Sequence, residues 1–286
     1  MRFRHVVPML AAVLCFLLLP RINAARASGG IEVRLVTPPD QPVRSYFKYT
    51  LVAGKSTRDD LEIKNGGSRP VKVRVYAGDC RNDADGVLNG PLFGQESRST
   101  GHWVSVSSSL LDLAPRQVAR VHLKVEVPPD TPPGDHFALL LIEPVSTEPV
   151  DTTASVKDRA EFRMRLVERI GITIWTRVPG SLTRGLRIGG LRKEVEDGTL
   201  LLQADVENTG NTFLKPWRRW TLRSTAGTLV ASDDRQAWGY LLPGSPLRLR
   251  APIGVTRPLA RGDYIFEMTV GYDDQQVTER ATLTLP

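Results

Sequence analysis

From Ile31 onward, apolar and polar residues alternate in stretches of four to nine positions, each broken by Gly, Pro, Asn or Asp. A strand turns successive side chains to opposite faces, so this period of two predicts strands that are buried on one side and wetted on the other. Leu61-Glu62-Ile63-Lys64, Val71-Lys72-Val73-Arg74-Val75-Tyr76 and Val121-His122-Leu123-Lys124-Val125-Glu126-Val127 show it most clearly, and Leu200, Leu202, Ala204 and Val206 repeat it later. No stretch carries apolar residues at i, i+3, i+4 and i+7. The predicted class is all-β, with half-wetted sheets packed face to face as β-sandwiches.

The polar segment from Ser146 to Lys157 lacks alternation and reads as a long loop, after which Phe162 to Thr176 reads as one long strand or a bent pair. Pro179-Gly180-Ser181 breaks the chain. The expected organisation is therefore a domain over residues 28–180 and a second over 181–286. Both halves share an order of landmarks. A strand runs into Asn65-Gly66-Gly67 in one and Asn208-Thr209-Gly210 in the other, followed by Leu113-Ala114-Pro115 and Leu242-Pro243-Gly244. Gly134-Asp135 and Gly262-Asp263 then open apolar strands, 19 residues after Pro115 and Pro243 respectively. Two related sandwiches in tandem are expected.

The N-terminus changes the picture of compartment. Residues 1–5 are basic, Val6 to Leu19 are apolar, and Ala25-Arg26-Ala27 offers an A-x-A cleavage site, the three-part pattern of a secretory signal over residues 1–27. The apolar run is shorter than the ~20 residues a spanning helix needs. Cleavage leaves Cys80 as the sole cysteine, so no disulfide is expected within the mature chain although the destination is oxidising. The formal charge of +7 falls to +3 once Arg2, Arg4, Arg21 and Arg26 leave with the signal. Nucleic acid is not an expected partner, because the remaining strand charges alternate against acids as a solvated face.

Candidate chemistry is sparse. The mature chain has His102, His122 and His136, and no G-x-S-x-G, H-E-x-x-H or P-loop pattern. Arg81-Asn82-Asp83-Ala84-Asp85-Gly86 mimics a calcium loop, but Arg81 and Leu92 occupy its first and twelfth positions. No catalytic residue, metal or cofactor is expected. Trp217-Arg218-Arg219-Trp220 is the densest aromatic and basic cluster. Two tryptophans three apart on a strand point to opposite faces, one inward and one outward. Trp103 beside His102 is either a packing residue at a strand start or a platform for a sugar. Trp103, His102, Trp217, Arg218 and Arg219 are the expected binding residues.

Further landmarks of residues 31–180 are Tyr49-Thr50-Leu51, Ala53-Gly54, Pro70-Val71-Lys72-Val73, Gly101-His102-Trp103-Val104, Val125-Glu126-Val127-Pro128, Pro133-Gly134-Asp135 and Arg169-Ile170-Gly171-Ile172, closing at Val178-Pro179-Gly180. In this order they resemble the N-terminal, peptidoglycan-binding domain of WxL-interacting proteins. That resemblance implies immunoglobulin-like modules in the cell envelope, secreted and non-catalytic, with peptidoglycan or an anionic wall polymer and other surface proteins as partners. It does not extend over residues 182–286. The same landmarks resemble the first domain of periplasmic pilus chaperones, which implies the alternative of strand donation to a subunit, with basic residues between the domains holding its carboxylate.

Overall fold

The computed structural model describes residues 25–26, 30–83, 86–145, 169–196, 199–237, 239–253 and 259–285. The expected signal segment, apart from Ala25–Arg26, and the expected loop from Ser146 lie outside them. The strands are β1 (Ala25–Arg26), β2 (Ile31–Leu35), β3 (Phe47–Thr50), β4 (Ser56–Asn65), β5 (Val71–Asp79), β6 (Arg81–Asn82), β7 (Leu88–Asn89), β8 (Val104–Val106), β9 (Leu110–Leu113), β10 (Val118–Glu126), β11 (Gly134–Val145) and β12 (Ile170–Val178). They continue as β13 (Leu186–Glu196), β14 (Thr199–Asn208), β15 (Trp217–Ser224), β16 (Leu229–Ala237), β17 (Pro246–Pro252), β18 (Gly262–Tyr272) and β19 (Gln275–Leu285). Among the described residues there is no α-helix, and one 3-10 turn spans Thr100–Trp103.

Two immunoglobulin-like sandwiches result. In the first, a sheet ordered β1-β2-β4-β10-β8 faces one ordered β3-β12-β11-β5-β9. In the second, β13-β14-β17 faces β16-β15-β18-β19. The alternation explains the layers. Val121, Leu123 and Val125 of β10 point into the first core with Leu61 and Ile63 of β4. His122 and Arg120 stay outside, paired with Asp60 and Glu62 of β4 across the ladder. Leu202, Ala204 and Val206 fill the second core against Leu247, Leu249 and Phe266.

β11 departs from alternation: Ala138 to Ile142 are five successive buried apolar residues. A strand reads that way when both faces are covered. Ala138, Leu140 and Ile142 face the first core, while Leu139 and Leu141 join Cys80 and, from the second sandwich, Leu242 in a separate cluster. The outer face is therefore covered partly by the other sandwich.

The repeated Asn and Leu-Pro landmarks are one device used twice. Asn65 is buried at the end of β4, where its Nδ2 donates to the carbonyls of Leu113 and Arg69 and its Oδ1 accepts the Gly67 amide. Asn208, buried at the end of β14, donates to Leu241 and Thr212 and accepts from the Gly210 amide. Each amide ties a strand end to the turn that carries the later proline, so its own polar atoms are satisfied inside the fold.

Candidate functional site

The joint between the sandwiches is built around Asp135, whose side chain is fully buried. Its carboxylate accepts from Arg177 Nε and Nη2 at 2.7 and 2.9 Å, from Trp175 Nε1 at 2.8 Å and from the Phe213 amide of the second sandwich at 3.0 Å. Burial opposes its ionisation, but these bonds prevail and hold its pKa below the ordinary value. The Asp135 amide in turn donates to the Asn211 carbonyl at 2.7 Å. Gly134, at φ +146°, permits this approach, since a Cβ there would sit 2.6 Å from that same oxygen. Gly134-Asp135 opens β11 as Gly262-Asp263 opens β18, but Asp135 is a buried bolt, whereas Asp263, its counterpart in the repeat, is exposed and takes a bond from Thr284.

A second pin is Asn82, on the loop that mimicked a calcium site. Its Nδ2 donates to the Tyr240 carbonyl at 2.7 Å and its Oδ1 accepts the Leu242 amide at 3.0 Å. Sequence reading missed this role because the partners lie some 160 positions away. Among the described residues no three His, Cys, Asp or Glu side chains gather at metal-binding distance.

Between these pins lies a cleft of about 240 Å³ lined by Tyr46, Phe137, Thr173, Trp175, Phe213 and Tyr240. Phe213 meets Trp175 edge-on at 4.8 Å and Phe137 at 5.8 Å between ring centroids. Lys215 lines the cleft, and a cation of the first sandwich, Lys48, stands over one of its rings. Lys48 Nζ stands 4.3 Å from the centre of the Trp175 ring and Lys215 Nζ 5.4 Å from that of Tyr240, and neither has a carboxylate partner among the described residues. Its wall includes part of β12, one side of which is only partly paired among the described residues. β12 pairs with β11 along its whole length, but β3 covers its other side only from Ile174 to Arg177. Among the described residues nothing pairs with that side of Ile170 to Thr173.

The expected binding residues fall in two other places. Trp103 is half-buried and packs in part against the first core, with its ring 4.8 Å from that of His136. His102 is exposed, and both line an open groove of about 890 Å³ with Arg98, Glu126, Pro128 and His136. Burial holds the His136 imidazole below its usual pKa. Trp220 enters the second core, and Trp217, half-buried, lies on the opposite face of β15. Arg218 is turned to Asp233 at 3.5 Å, and Arg219 is exposed beside Trp217. The structure thus does not bring Trp103 and His102 together with Trp217, Arg218 and Arg219: each group belongs to its own sandwich.

No protein-family profile and no curated protein matches this sequence. Solved structures similar to it include that of a Salmonella enterica SafA pilin in complex with the SafB chaperone, at 14% identity over 90% of this chain and 99% of the other, with a TM-score of 0.40. The class 5 fimbriae chaperone CfaA is similar at 10% identity, 87% and 98% coverage and a TM-score of 0.39. The E. coli chaperone DraB is similar at 14% identity, 89% and 95% coverage and a TM-score of 0.36.

Proposed function

We infer that this chain is a non-enzymatic, exported envelope protein that captures an extended segment of a partner protein by strand addition, in the manner of a pilus-type chaperone. The observation that carries the reading is the side of Ile170 to Thr173 in β12 that no described strand covers, which leads to Thr173 and Trp175 in the aromatic cleft. An added strand takes its affinity from main-chain hydrogen bonds and its specificity from pockets for alternate side chains. The rings of Phe137, Trp175, Phe213 and Tyr240 supply such a pocket for one large apolar side chain, and Lys48 and Lys215 suit a carboxylate at its mouth. At Trp103 and His102 the wall-polymer reading has less behind it, because part of the Trp103 ring is taken up against the first core and His136.

The test is hydrogen exchange of the purified protein with and without synthetic strand peptides of alternating apolar residues and a free C-terminal carboxylate, with sedimentation against peptidoglycan sacculi in parallel. Slowed exchange within residues 170–173 supports capture whether or not the protein sediments. Sedimentation with sacculi and unchanged exchange overturns it in favour of wall binding.

A further inference from the structure

On the outer face of the second sandwich, outside the lining of the cleft, Trp217 lies flat on the sheet. Its register partner on β18 is Gly271, and a Cβ at that position would stand 2.4 Å from Cζ2 of the indole, so glycine leaves the notch in which the ring rests. Two guanidinium groups stand beside that ring. Arg235 Cζ of β16 stands 4.2 Å from its centre and Arg219 Cζ of β15 6.0 Å. Neither arginine has a carboxylate partner among the described residues, and the nearby Asp233 is turned to Arg218. A guanidinium stacked on an aromatic face is held in orientation while the edge of its fork remains free for an oxyanion.

We propose that Trp217, Arg219 and Arg235 form a binding platform for phosphate groups of an anionic envelope polymer, independent of strand capture at β12. A phosphate offers several oxygens to two forks, and charge-assisted bonds to guanidinium are the strong class of hydrogen bond. A sugar or base stacking on the indole is disfavoured, because Arg235 already occupies the ring face. Arg218, which the sequence grouped with these residues, stands outside the platform because Asp233 neutralises it.

The experiment is calorimetric titration of the full chain with poly(glycerol phosphate) at low salt, without any peptide. Saturable binding is expected, weakened about tenfold in Arg235→Gln and in Arg219→Gln and less in Arg235→Lys, which keeps the charge and loses the fork. Arg223→Gln, on the same strand but bonded to the Gly227 carbonyl, should bind as the parent does. Binding that is absent, or that falls equally in Arg223→Gln and Arg235→Gln at unchanged melting temperature, would overturn the platform and leave strand capture untouched.

Discussion

Arg177 forks the buried carboxylate of Asp135, and the same carboxylate caps the amide of Phe213, so a single ion pair in the first sandwich fixes a loop of the second. A buried pair that also satisfies other donors is costly to break from one side, because the remaining partners lose their acceptor. Asp135→Ala should destabilise the protein by about 3 kcal/mol in urea unfolding. A loss under about 1 kcal/mol would show that the joint does not depend on this carboxylate.

The same group predicts an acid dependence. The folded pKa of Asp135 is depressed, so its contribution to stability is fully present above the unfolded value of about 4 and is lost as pH falls through the lower folded value. Asp59, held low by Arg44 despite its burial, acts with the same sign. Melting temperature should begin to fall below about pH 6.5, where the half-buried, neutral His136 must charge, and fall more steeply below about pH 5 as the carboxylates follow. Asp135→Asn should show a shallower fall than the parent in the same scan.

Cys80 lies in the apolar cluster between the sandwiches, and burial pushes its thiol up to about 12. The thiolate is the reactive form, so the folded protein should resist a disulfide reagent at pH 8 and react once unfolded in urea. Cys80→Ser should cost about 1–2 kcal/mol by placing a hydroxyl in that cluster. Rapid labelling of the native protein would contradict this placement.

The two buried asparagines make a paired prediction. Asn65→Ala and Asn208→Ala each leave carbonyls at a turn without their donor, and each should cost about 2 kcal/mol. The penalties should add, because the residues anchor separate sandwiches. Urea denaturation of the two single variants and the double variant measures this directly.

Period-two alternation determined most strands, since which way a residue points in a strand depends only on its neighbours along the chain. That is why Val121, Leu123 and Val125 could be assigned inward and His122 outward, and why Trp217 and Trp220 could be assigned to opposite faces. The repeated Asn and Leu-Pro order was legible for the same reason: each landmark marks a local strand end. Tertiary structure alone distinguished Asp135 from Asp263, which share a sequence motif but meet different surroundings. It alone brought Phe137 and Trp175 to Phe213 and Tyr240, set Asn82 against Leu242, and stacked Arg235 on Trp217. Those contacts join residues far apart in the chain, through packing and hydrogen bonds that leave no periodic trace in either segment, so the pairing of sheets and sandwiches had to place them.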